Sequence, residues 1–187
     1  PLLSIGTRTL DVNGKAATVF GVRNPTGTFG HFANEGDRFS GAILNDTRDP
    51  LVMHWHGQIH TPFDQDRARP GGGALAVGAT DVHDFALTPG THWMHSHQLT
   101  EQQLLAAPMV TREKDAGDVQ DVVVMLHDFA FRSPAEILAE LGGTERMAAM
   151  VVMVVMVGMV AAFISRRLTP TRAMVAMRGR PVTLATP

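Results

Sequence analysis

The chain has 187 residues, 44% of them hydrophobic and 18% charged, so it can bury a core and does not have a disordered composition. A formal net charge of −2 gives no electrostatic footprint for nucleic acid. The absence of cysteine excludes disulfides, cysteine nucleophiles and any metal–thiolate centre within these residues, but it does not fix the redox compartment. The chain opens at Pro1 with no methionine and no basic-then-apolar leader, which we read as a fragment or a processed form.

Up to about residue 130 the pattern is one of strands and turns. Residues 9–12 and 16–22 flank Asn13-Gly14, a hairpin signal, because this pair suits a type I′ turn. Glu35-Gly36-Asp37 is a turn into a strand at 38–45, where Phe39 and Ile43 predict partial burial. Residues 52–56 form the next strand, and 67–73 are a polar loop rich in proline and glycine. Along 81–87, His83, Phe85 and Leu87 share one side, which predicts a partly buried, satisfied histidine. Thr88-Pro89-Gly90 turns the chain into a strand at 91–97. Strands at 107–111 and 119–126 complete the set, and Val122-Val123-Val124-Met125-Leu126 reads as buried. Short strands at this spacing predict an all-β sandwich or barrel.

A short helix follows at 133–141. Ser133 is its N-cap, Pro134 fits the first turn, Glu136 completes a capping box, and Gly142-Gly143 ends it. We therefore place a domain at 1–143 and a tail at 144–187.

The tail changes character abruptly. Residues 147–165 carry no charge and are nearly all Met, Val and Ala, close to the ~20 residues that cross a bilayer as a helix. Arg166, Arg167, Arg172, Arg178 and Arg180 follow, which would put the C-terminus in the cytoplasm and the rest in the periplasm or outside the cell, anchored to the membrane. A buried or aggregating apolar tail is the alternative. Met150, Met153 and Met156 also repeat a Met-Val-Val unit, with a variant at Met159. Read one base earlier, ATG-GT codons give His, Asn, Asp or Tyr followed by Gly. A His-Gly-Gly linker frame-shifted from about Arg146 would look like this. The step of three favours hydrophobic burial or this slip over a thioether Cu(I) site.

The chemistry sits in two histidine pairs, His54-Trp55-His56-Gly57 and His95-Ser96-His97. Side chains alternate along a strand, so His54 and His56 share a face, as do His95 and His97. Two adjacent strands would aim four imidazoles into one volume, and imidazole suits copper, zinc, iron and nickel. His92 has the opposite parity to His95. His31, His60, His83 and His127 read as structural or solvated, and Trp55 and Trp93 as packing into the interior or against a neighbouring domain. Asp64 and Asp66 read as a solvated loop, or else as hydrogen-bond partners of the ligating imidazoles or proton donors.

Pro50-Leu51-Val52-Met53-His54-Trp55-His56-Gly57 resembles the first copper motif of the multicopper oxidases, the laccase-like enzymes, and Pro89-Gly90-Thr91-His92-Trp93-Met94-His95-Ser96-His97 resembles their second. The Gly36-Asp37 turn, Asn45 and the stretch 122–129 also resemble that family's first domain. The resemblance implies a cupredoxin-like Greek-key β-sandwich, with His54 on the type 2 copper, His56 and His95 on one type 3 copper, and His97 on the other. Gly57 would let the chain pass close to the cluster. The full family couples one-electron oxidation of a reducing substrate to reduction of dioxygen to water. Here the family's Cys-His copper motif and second histidine set are missing, so these residues alone are expected to be incompetent as an oxidase unless a second cupredoxin domain or chain contributes. A stand-alone copper carrier is the main alternative. A cupin is weaker, because no glutamate follows His56 before Glu101.

Overall fold

The computed structural model describes residues 1–118 and 120–142. The boundary at 143, the apolar run 147–165 and the proposed frame slip lie outside the described residues. Among the described residues no helix is long and apolar enough to cross a membrane.

Eight strands follow one another as β1 (Leu2–Val12), β2 (Lys15–Arg23), β3 (His31–Asn34), β4 (Arg38–Asn45), β5 (Met53–His56), β6 (Thr80–Ala86), β7 (Gly90–Ser96) and β8 (Ala106–Arg112), and a helix, α1 (Pro134–Gly142), comes last. They form two four-stranded sheets, in the orders β2-β1-β4-β6 and β3-β8-β7-β5. This is the all-β, cupredoxin-like sandwich that the strand spacing and motifs predict. The β1–β2 hairpin turns at Asn13-Gly14, with φ of 53° and 79°, the two positive values that a type I′ turn requires. Ser133 Oγ accepts from the Glu136 amide at 3.2 Å, and Glu136 Oε2 accepts from the Ser133 amide at 2.9 Å, so the capping box is formed.

The core lies between the sheets. Phe39 stands 5.4 Å from Phe85 and 4.9 Å from Trp55, ring to ring, with Leu3, Ile5, Ile43, Leu51, Met94 and Met109 buried around them. Met53 and Trp55 of β5 point into this core, so the alternation of the strand sends His54 and His56 to the opposite face. Asn45 fixes the approach to β5. Its buried side chain donates to the carbonyls of Asp49, Leu75 and Ala76, and accepts from the amide and hydroxyl of Thr47. The long β5–β6 loop is pinned from both ends. Trp55 Nε1 donates to Gln65 O at 3.0 Å, Gln65 Oε1 accepts from Asp84 N at 2.8 Å, and Arg67 pairs with Asp81 at 2.6 Å.

Two elements differ from the sequence expectation. Residues 122–126 lie outside every strand, and Val122, Val124 and Leu126 are exposed, not buried. A run of valines supplies β propensity, but a strand also needs a sheet edge to bond and core volume beneath it. The core between the sheets is already filled by the other strands. Conversely, His31–Asn34 forms β3, parallel to β8, although its four residues carry no apolar run. Its pairing is dictated by the β8 edge, not by local pattern.

Candidate metal centre

Strands β5 and β7 are antiparallel neighbours, with His54 opposite His95 and His56 opposite Trp93. Residues directly opposite in a sheet project from the same face. His97 follows at the next position of that face, and its amide donates to Val52 O at 2.8 Å. The structure therefore brings the two histidine pairs together. The ring of His54 lies 5.5, 5.3 and 5.1 Å from those of His56, His95 and His97, and His95 lies 5.5 Å from His56 and 5.3 Å from His97. One nitrogen each from His54, His95 and His97 can be chosen so that all three lie within 4.8 Å of one another.

The hydrogen bonds behind the rings decide which nitrogens are free. His54 Nδ1 faces both oxygens of Asp66, at 2.8 and 3.1 Å. An ionised carboxylate only accepts, so Nδ1 carries the proton and Nε2 keeps its lone pair. Burial raises the Asp66 carboxyl. The bond and charge of His54, the Ala68 amide and Arg69 outweigh that effect and hold it below the usual carboxylate range. His95 Nδ1 is backed by its neighbour's carbonyl, Ser96 O at 3.0 Å, and by Glu101 Oε1 at 3.2 Å, which again leaves Nε2 as the acceptor. His56 Nδ1 lies 3.4 Å from that nitrogen and must be the donor there. His56 thus caps the lone pair of His95 and stands outside the convergent trio.

Burial comes first among the causes that lower the pKa of His56, followed by the charges of His95, His54, His92 and His97. His97 is lowered by burial and then by His54 and His95. Both rings therefore stay neutral below the ordinary imidazole value, the state in which imidazole binds a metal. Nitrogen donors with fixed tautomers and carboxylate backing suit a transition-metal ion.

The solvated-loop reading holds for Asp64, which is exposed, and fails for Asp66, whose side chain is 1% exposed. A 3-10 turn at Phe63–Gln65 folds the loop so that the second aspartate returns under β5. Glu101 is a partner that the sequence reading missed. The 3-10 turn Leu99–Gln103, directly after His97, brings its carboxylate back to β7. Trp93 is not in the sandwich interior. It stacks on His95 at 4.1 Å and 14°, on the histidine face, because it shares parity with His95 and His97. His92 does face away, bonded through Nε2 to Pro89 O at 3.0 Å. Gly57 has a φ of 83°, and a Cβ there would stand 2.1 Å from His92 Nδ1. The close approach that requires glycine is thus to His92, not to the imidazole cluster. His83 is buried against Trp55 at 4.8 Å, and His60 is exposed.

Comparisons with known proteins bear on the fold and on sequence similarity. No family model matches the chain. It is 28% identical over 116 residues to the multicopper oxidase MmcO of Mycobacterium tuberculosis, covering 58% of this chain and 23% of that protein. It is 26% identical over 146 residues to copper resistance protein A of Pseudomonas syringae, covering 74% of this chain and 24% of that protein. The chain thus spans about a quarter of the length of these relatives. Among solved structures, a variant of the B. aclada laccase superposes with a TM-score of 0.60 at 23% identity, over 75% of this chain and 28% of that one, a likeness of fold. The described sandwich has the cupredoxin-like fold of these structures, and its sequence is similar to the copper proteins of the multicopper oxidase kind named above.

Proposed function

We propose that this domain is the copper-binding first domain of an oxidase that couples oxidation of a reducing substrate to reduction of dioxygen to water. His54, His56, His95 and His97 would hold the copper, with His54 toward the mononuclear position and the other three toward the paired ones. The observation that carries this reading is the convergence of His54, His95 and His97 nitrogens within 4.8 Å on one face. When bound, copper would supply one-electron storage and delivery to dioxygen. Asp66 and Glu101 orient His54 and His95 and keep their protons on Nδ1. The Trp93 ring shields one side of His95 from water.

These 187 residues hold no cysteine, hence no thiolate for electron entry, and only one set of paired histidine motifs. We infer that they do not turn over dioxygen unless a further cupredoxin domain or chain completes the ligand set. We place the domain in the periplasm or outside the cell, on the strength of the apolar run 147–165 and the arginines after it. The convergent trio also fits a second reading, a carrier that holds one copper ion without enzyme activity.

The test is a Cu(II) titration of the metal-free chain, followed by electron paramagnetic resonance and calorimetry. Nitrogen hyperfine structure that disappears in His54→Ala and His95→Ala supports the site. Copper binding indifferent to both substitutions refutes it. Oxidase turnover by the chain alone would overturn the inferred incompetence, and one tightly held ion without turnover favours the carrier.

A further inference from the structure

A second polar hollow lies on the other sheet, away from the histidines. It has a volume of about 230 Å³ and is lined by Ser4, Gly6, Thr7, Arg8, Gly21, Arg23 and Asp46. Its floor exists because two glycines face each other across the hairpin. Gly6 pairs with Gly21, and Ser4 pairs with Arg23. With no side chain on either glycine, the sheet surface has a trough between Arg8 and Arg23. The ring of Phe29 lies against Gly21. A Cβ on Gly21 would stand 2.5 Å from Phe29 Cε1, so the glycine is what lets the ring lie there.

Both guanidinium groups rest on that ring. Arg8 Cζ is 4.4 Å and Arg23 Cζ 5.2 Å from its centroid, which brings two like charges to one small site. The turn before Phe29 is tied. Asn24 Oδ1 accepts from the amides of Thr26 and Thr28, so the ring sits on a fixed platform. Among the described residues neither arginine forms an ion pair. The arginines that do are Arg38, Arg67, Arg69, Arg112 and Arg132. Asp46 lines the rim but lies beyond ion-pair distance of both, and the local balance stays positive. Among the described residues the one protein acceptor for either guanidinium is Phe20 O, 3.5 Å from Arg8 Nε. Burial, and then the charge of Arg23, push the Arg8 guanidinium down from its ordinary value, as expected of a positive pair lacking its counter-charge.

The geometry points to a binding site for a tetrahedral oxyanion dianion of the phosphate or sulfate class, clamped between Arg8 and Arg23. Each planar guanidinium can donate two parallel bonds, and two of them match four oxygens and two negative charges. A carboxylate offers only half of each. Ser4, which shares the face of Gly6 and Arg8, also lines the wall.

The test uses inorganic phosphate and the metal-free full chain at pH 8. Affinity is read by phosphorus-31 line broadening and by thermal shift at constant ionic strength. Saturable phosphate binding should weaken by about tenfold or more in Arg8→Gln and in Arg23→Gln. Arg38→Gln, an exposed arginine elsewhere, should leave it unchanged. Acetate at the same ionic strength should not compete. The proposal is overturned if phosphate does not bind, if either pocket substitution leaves binding intact, if Arg38→Gln weakens it equally, or if acetate competes as well as phosphate.

Discussion

Asp66→Asn separates a positioning carboxylate from a merely buried one. In the native chain the two Asp66 oxygens face three donors, His54 Nδ1 at 2.8 and 3.1 Å, the Ala68 amide at 3.2 Å and, more distantly, Arg69 Nε at 3.5 Å. An amide has one oxygen and one NH2, so one of those donors must now face an N–H. If the oxygen goes to Ala68, His54 can satisfy the NH2 only by moving its proton to Nε2, the nitrogen needed for a metal. If it goes to His54, the Ala68 amide is left facing a donor. The backing charge is lost in either case. Loss of such a partner lowers metal affinity by about 10- to 100-fold. The assay is a competitive Cu(II) titration of metal-free protein against a chelator at pH 7.5, with Asp64→Asn as the control, because Asp64 is exposed. Copper affinity of Asp66→Asn within about twofold of the parent, with the melting transition intact, would refute the assignment.

Three further outcomes follow from the same structure. His83 is buried, its Nδ1 has no partner among the described residues, and burial, helped by the charge of Arg67, lowers its pKa against the opposing pull of Asp81, the Gln65 backbone and Asp66. A histidine with a lowered folded pKa leaves stability full above the ordinary value of ~6.5 and subtracts from it as the pH falls from there toward the folded pKa. Urea denaturation of metal-free protein between pH 8 and 5 should therefore show a shallower loss in His83→Gln, and an unchanged slope would sink the idea. Gly57→Ala meets both a φ of 83° and the His92 ring, and should cost about 2 kcal/mol or more. His92→Ala should recover the steric part, so an equal cost in both backgrounds contradicts the contact. Asn45→Ala strips buried carbonyls of their donor and should cost about 2–4 kcal/mol in denaturant melts, and a cost below about 1 kcal/mol would show that the contacts are dispensable.

The site was legible wherever local rules decide it. A His-x-His pair on a strand must share a face, and the Asn-Gly turn and Ser133 capping box need only neighbours in sequence. What sequence alone concealed depends on long returns of the chain. Asp66 reaches His54 through a 12-residue loop, and nothing in the run from Thr61 to Arg69 marks it above Asp64. β3 owes its pairing to β8, far along the chain. The valines at 122–124 carried a strong local signal and still formed no strand, because β propensity expresses itself only where a residue packs against cross-strand and core neighbours, and these valines stay largely exposed. Trp93 was legible in principle, since its parity with His95 placed it on the histidine face.

The position of β5 explains why the cluster can be both prepared and open. It is an edge strand of its sheet, and among the described residues β7 is its one ladder partner. An edge strand bearing Trp55 and Met53 on its inner face is anchored by burial, which leaves His54 and His56 fixed in place but uncovered. The backing acceptors are graded in the same direction. His54 has a buried carboxylate, His95 has a carbonyl and a carboxylate, and His56 has only the lone pair of His95. A metal held at His95 Nε2 would take the place of the His56 N–H, so on the proposed reading His54, His95 and His97 would hold it first and His56 would turn its own nitrogen toward it afterwards.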